Sequence, residues 1–218
     1  MIIDRENVAV RTILSCTNFD DLDVLEIGCG DGRITIGLHK KCKKLVAIDP
    51  CKESITTARK KYPEIDFRQG TGEAIDCGDK KFDVVLFSLS LHHQNSCKAL
   101  LEAERVLAHD GYVLALEPSI DSHISVICNI FRDESNELME AMEAIHTSNF
   151  DLLSIQQIDT EWIFEDVQEL YAWLHDFYPQ KHHPSTIKQV DALLGEKTLA
   201  KPLIISDTLL LSELSPRL

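Results

Sequence analysis

The chain has 218 residues, 44% of them hydrophobic and 27% charged, which is ordinary for a soluble globular protein and enough for one large domain with a substantial core. Its 22 Lys+Arg against 36 Asp+Glu leave a net charge of −14, the reverse of what neutralising phosphates requires, so nucleic acid is not expected as a partner. No apolar run is long enough to span a bilayer, the first ten residues carry no signal-peptide pattern, and seven scattered cysteines contain no C-x-x-C pair; a reduced, cytoplasmic setting is expected.

In chain order, "RENVAVRTILSCT" (5–17) predicts a helix with apolar positions at Val8, Val10, Ile13 and Leu14. "LDVLEIG" (22–28) predicts a buried strand, followed by a glycine turn and a helix over 32–40. "KKLVAID" (43–49) is a second strand, and "CKESITTARKKY" (51–62) a helix stopped by Pro63. "IDFRQG" (65–70) is a short third strand. "FDVVLFSL" (82–89) is continuous and apolar enough to be a strand at the sheet's centre. A helix over 97–108, a turn at "HDG" and a strand "YVLALEP" (112–118) complete the alternation. Such alternation gives a doubly wound, mostly parallel sheet whose strands end on one ligand-binding edge.

Beyond Pro118 the pattern changes. Residues 122–146 read as helix in one or two pieces, and "FDLLSIQQIDTEWIF" (150–164) alternates as an antiparallel edge strand would. Two more helices, at 166–178 and 184–195, precede an antiparallel last strand at 202–214. The whole is expected to be one domain, with 119–148 and 165–200 forming a helical cap inserted late in the chain. Long insertions of this kind are usually functional. The aromatics Trp162, Tyr171, Trp173, Phe177 and Tyr178 suit either the core of that cap or a substrate lid.

The glycine turn "LEIGCGDGR" has the spacing G-x-G-x-G, not the dinucleotide fingerprint G-x-G-x-x-G, and lacks a P-loop's Gly-Lys-Ser/Thr ending. Glu26 precedes the first glycine by two residues, and Asp31 is expected to cap the following helix. An anion at that helix start would face both carboxylates, whereas a cation would be welcome. Asp49, at the end of the second strand, is placed to accept hydrogen bonds from ribose hydroxyls. A nicotinamide dinucleotide fits this turn poorly; a positively charged nucleoside fits it well.

"LEIGCGDG", "VAIDP" and "FDVVLFSLSLHH", in that order, resemble the class I S-adenosylmethionine-dependent methyltransferases, closest to the small-molecule branch called methyltransferase type 11. The resemblance covers about residues 20–118 and implies a Rossmann-like fold, S-adenosylmethionine as cofactor and S-adenosylhomocysteine as product. It implies that Glu26 holds the methionine amino group and that the backbone of Gly28, Cys29 and Gly30 approaches the cofactor. Asp49 would take the ribose hydroxyls, with Pro50 beside the adenine. In "GTGEAI", Thr71 stands where the family commonly has aspartate; Thr71, Gly72 and Glu73 would form the adenine edge. Ser88 would lie beneath the transferable methyl.

Methyl transfer needs alignment, exclusion of water and an outlet for the acceptor's proton. His92 and His93, directly after the fourth strand, are the candidate bases, while His182 and His183 in "QKHHPS" are weaker candidates. With Cys97 the first pair lacks a second clustered pair of ligands, so no metal site is expected. The expected partner is a small-molecule acceptor. A quinone or lipid acceptor and a non-catalytic cofactor-binding module are the alternatives, and oligomeric state is not legible.

Overall fold

Eight strands form one sheet in the computed structural model, which describes residues 1–181 and 183–217. The strands are β1 (Ile2–Ile3), β2 (Asp23–Ile27), β3 (Lys44–Asp49), β4 (Asp66–Gln69), β5 (Phe82–Ser88), β6 (Leu107–Pro118), β7 (Phe150–Phe164) and β8 (Leu203–Pro216). Their order across the sheet is β1-β7-β8-β6-β5-β2-β3-β4. Pairs among β2 to β6 are parallel, and β8 runs antiparallel between β6 and β7. The expected mostly parallel sheet with an antiparallel last strand is therefore present. The 150–164 strand is not the outermost one, because the two-residue β1 pairs along it.

The helices are α1 (Val8–Cys16), α2 (Thr35–His39), α3 (Lys52–Lys61), α4 (Ser96–Val106), α5 (His123–Asn129), α6 (Ser135–Thr147), α7 (Val167–Phe177) and α8 (Pro184–Leu194). One face of the sheet packs on α4 and α6 through Ala99, Leu100, Ala103, Ala141, Ala144 and Ile145. The other packs on α1 and α2 through Ala9, Val10, Ile13, Ile34 and Leu38. Between them Val84, Val85, Leu86 and Phe87 of β5 have no exposure, as their uninterrupted apolar pattern requires. Burying each such side chain contributes about 1.5–3 kcal/mol. Within the segments expected as cap, α6 joins the layer against the sheet. By contrast α5, α7 and α8 share a separate apolar cluster that includes Ile124, Leu170, Leu174 and Val190.

Two local expectations are corrected. The "HDG" turn is a bulge inside β6: Phe82 pairs with Leu107 and Val84 with Tyr112, so the residues between loop out while pairing continues. Gly111 is needed there, since a Cβ would meet the Asp83 carbonyl oxygen at 2.7 Å. The helix after the glycine turn begins at Thr35, not at residue 32, because Gly32 has φ +93° and cannot be helical. Among the described residues no helix is long and apolar enough to cross a membrane. His182 lies outside the described residues.

Candidate functional site

At the C-terminal end of β2 the chain turns through Gly28, Cys29 and Gly30. The amides of Gly28 and Cys29 both donate to the Ile48 carbonyl, at 2.8 and 3.1 Å, which stitches the turn to the end of β3. Gly28 has φ +83°, and a Cβ there would fall on Ser90, 2.6 Å from its Oγ. Gly30 has φ +53°, but nothing lies within 4 Å of where its Cβ would be. The first glycine is required by crowding and the second faces open space. Asp49 accepts from the Gly30 amide at 2.9 Å and, through its other oxygen, from the Cys51 amide at 2.8 Å. Each carboxylate oxygen keeps capacity for one more donor, as a pair of ribose hydroxyls would need.

Glu26 is fully buried. Its Oε1 accepts from the Ser88 hydroxyl at 2.8 Å, while Oε2 makes no close hydrogen bond among the described residues, the Thr35 hydroxyl being a neighbour that favours its ionised form. Burial pushes this carboxyl above the usual carboxylate range. A buried acceptor without a donor is costly, and an incoming ammonium would relieve that cost. Ser88, expected beneath the transferable methyl, turns its buried hydroxyl toward Glu26 and the Gly28 carbonyl, 3.2 Å away, and so orients the carboxylate. Asp31 is not a helix cap. Its exposed carboxylate pairs with Lys61 at 3.1 Å, so the turn's preference for a cation rests on Glu26 alone.

Thr71 follows Gly70, whose amide donates to the Asp49 carbonyl at 3.1 Å, so the 71–73 segment begins beside Asp49. Thr71 is exposed, and Glu73 is committed in part, accepting from the Asn95 amide at 2.7 Å. A Cβ on Gly72 would approach the Gln94 side chain to 2.6 Å. Pro50 is exposed next to Asp49, and Cys29 is buried, its thiol pushed up by desolvation and the nearby carboxylates Glu26 and Asp49.

After β5 a short 3-10 turn, Leu91–His93, carries the two histidines. His92 is buried, with Nδ1 hydrogen-bonded to Glu117 at the end of β6. Glu117 also accepts from the amides of Ser90 and Leu91, at 3.1 and 2.9 Å. A carboxylate that gathers donors in this way places the imidazole proton on Nδ1 and leaves a lone pair on Nε2. His93 is exposed on one side, and burial of the rest together with neighbouring His92 holds its pKa below the usual imidazole value. Glu134 faces both rings, 3.9 Å from His92 Nε2 and from His93 Nδ1.

Donor atoms of His92, His93 and Glu134 lie within 4.8 Å of one another, a spacing compatible with a metal ion. Arg132 already sits 3.2 Å from Glu134. The third member is therefore Glu134 and not Cys97, which lies exposed on α4. Sequence spacing could not reveal Glu117 or Glu134, because the sheet and the segment after α5 bring them in from 25 and about 40 residues away. A cavity of about 310 Å³ opens from the histidines, walled by Trp162, Trp173, Phe177 and Tyr178. Of these aromatics, Trp162, Trp173 and Tyr178 also pack against the α5–α7–α8 cluster.

Residues 25–115 match the family model described as a methyltransferase domain. A methyltransferase-like protein of Schizosaccharomyces pombe is 35% identical over 91 residues, 40% of this chain and 35% of that protein. A demethylmenaquinone methyltransferase of Chlorobaculum parvum is 29% identical over 99 residues, 44% of this chain and 41% of that one. The matched stretch thus spans well under half the length of these relatives. In three dimensions the YcgJ protein of Bacillus subtilis superposes with a TM-score of 0.67, covering 96% of this chain and 98% of that chain at 17% identity. That likeness reports on the fold over the full chain, including the parts beyond the sequence match.

Proposed function

We propose that this chain, whose residues 25–115 match the methyltransferase-domain family model, is a class I S-adenosylmethionine-dependent methyltransferase that transfers a methyl group to a small-molecule acceptor. The observation that carries this reading is the pairing of an orphaned, buried Glu26 Oε2 with the open space over Gly30, next to Asp49. One is a waiting acceptor for an ammonium and the other leaves room for the cofactor's backbone. When bound, the cofactor supplies an electrophilic methyl group on a sulfonium. The protein holds the cofactor through Glu26, the 28–30 turn and Asp49. The 71–73 segment borders the adenine, and the aromatic walls exclude water. His92 Nε2, with its tautomer fixed by Glu117, and His93, kept largely neutral, are the groups placed to take a proton from the acceptor.

Calorimetric titration with S-adenosylmethionine and, separately, with NAD tests the cofactor. Binding of the first alone is expected, and tight NAD binding without S-adenosylmethionine binding would overturn the reading. In acceptor screens that detect S-adenosylhomocysteine, His92→Ala or His93→Ala is expected to lower turnover on the order of 10²-fold while cofactor affinity changes little. Equal turnover in both variants and the parent would remove the histidines from the mechanism. A quinone acceptor is the second reading, supported by the demethylmenaquinone methyltransferase among the relatives. A protein that binds S-adenosylmethionine yet yields no S-adenosylhomocysteine with any acceptor would be a binding module.

A further inference from the structure

Asp207, near the start of β8, lines the cavity that opens from His92 and His93. It is 5% exposed, and its Oδ2 accepts from the Trp162 indole at 3.0 Å. Its Oδ1 makes no close hydrogen bond among the described residues, although the Ser122 hydroxyl and the Thr208 amide also favour the ionised carboxylate. β7 and β8 pair Trp162 with Ile205, which sets the indole beside Asp207 and holds the carboxylate in place. Trp173 meets Trp162 edge to face, with ring centroids 5.1 Å apart. The cavity wall thus includes a buried carboxylate held by one indole and set among aromatic rings.

The other charges around the cavity are already matched. Arg132 pairs with Glu134 at 3.2 Å and with Glu137 at 3.8 Å, and Glu134 in turn faces the two histidines. Desolvation, the largest influence on Asp207, opposes its ionised form, an opposition that an entering cation relieves. Arg33 favours the ionised form of both Asp207 and Glu26. A neutral ring with only hydrogen-bond acceptors, such as a quinone, would leave Oδ1 unsatisfied and add acceptors opposite it. An ammonium or other N–H donor with an apolar body satisfies Oδ1, and aromatic faces favour such a cation further.

We propose that the methyl acceptor is an amine with an apolar body, its nitrogen held by Asp207 Oδ1 and its body packed between Trp162 and Trp173. This rests on the methyl-transfer reading above. The bound ammonium first loses a proton to a histidine of the 92–93 pair. The freed nitrogen lone pair then forms the new bond to the methyl carbon as the carbon–sulfur bond breaks, its electron pair remaining on sulfur. The product is an N-methylated ammonium, still opposite Asp207, and the histidine returns its proton to solvent.

Both tryptophans of the chain line this cavity, so intrinsic fluorescence reads its occupancy without turnover. The full chain is titrated with phenethylamine and with phenethyl alcohol, which differ only in the donor that Asp207 would meet. Saturable quenching by the amine is expected, with the alcohol weaker and Asp207→Asn weakening the amine by about tenfold or more while S-adenosylmethionine binding persists. Equal response to amine and alcohol, no response of the parent to the amine, or undiminished amine binding by Asp207→Asn would overturn the proposal. The amine–alcohol comparison in the parent protein holds even if the variant fails to fold. Failure of the parent to bind S-adenosylmethionine would instead overturn the cofactor reading and is measured separately by calorimetry.

Discussion

Gly28→Ala is expected to lose cofactor binding and to lower the protein's thermal stability at the same time. The residue sits at φ +83°, which costs an L side chain about 1–2 kcal/mol. The greater cost is steric, because the new methyl would fall on Ser90. Ser90 cannot step aside: its Oγ donates to the Ile27 carbonyl at 2.6 Å and its amide to Glu117 at 3.1 Å. Overpacking of this kind adds about 1–3 kcal/mol, and a total near 4 kcal/mol would lower Tm by roughly 10 °C in a chain of this size. Gly30→Ala is the control. It meets no atom within 4 Å, so the backbone cost alone applies and the fold should persist. Its methyl would occupy the space proposed for the cofactor, and affinity for S-adenosylmethionine should fall by about tenfold or more. Scanning calorimetry and ligand titration of the pair separate the effects; full affinity in Gly30→Ala would place the cofactor elsewhere.

The second large effect belongs to Glu117. Removing its side chain in Glu117→Ala would strand the buried amides of Ser90 and Leu91 and leave buried His92 without its partner. Each unsatisfied buried group costs about 1–3 kcal/mol, so denaturant unfolding should report a loss of about 3–5 kcal/mol. Glu117→Gln separates structure from chemistry. Its single carbonyl oxygen can still receive amides, but its amide nitrogen would donate to His92 Nδ1 and drive the ring proton onto Nε2. The variant should remain folded, bind S-adenosylmethionine and lose turnover by on the order of 10²-fold. Unchanged turnover in a folded Glu117→Gln protein would show that the His92 tautomer does not matter to the reaction.

What the sequence revealed follows how local each signal is. The apolar run of β5 and the turn after β2 are written in consecutive residues, so strand, turn and Asp49 are all readable. Asp31 misled because a carboxylate after a glycine resembles a helix cap, whereas Gly32 at φ +93° delays the helix and Lys61 from α3 claims the charge. The "HDG" segment reads as a turn since nothing local shows that β6 resumes pairing beyond its bulge. Ser88 could be placed at the end of its strand, but its direction depends on Glu26 in the neighbouring strand. Glu117 and Asp207 were hidden because each gains its meaning from a partner at least 25 residues away, through register that only the folded sheet sets. Fold and cofactor turn are local in this sense, and the acceptor cavity is not.

The place of β8 bears on how the protein is made. It pairs with β6 on one side and along nearly all of β7 on the other, yet it follows both in the chain. While the chain emerges from the ribosome, β6 and β7 must wait with open edges, and contacts so distant in sequence form slowly. Residues 23–118 can assemble their parallel sheet first, including the turn that would hold the cofactor. The cavity cannot close until Asp207 and Leu209 arrive on β8. A nascent chain would thus complete its cofactor half before its acceptor half, and in that interval the open edges of β6 and β7 are its exposed pairing surfaces.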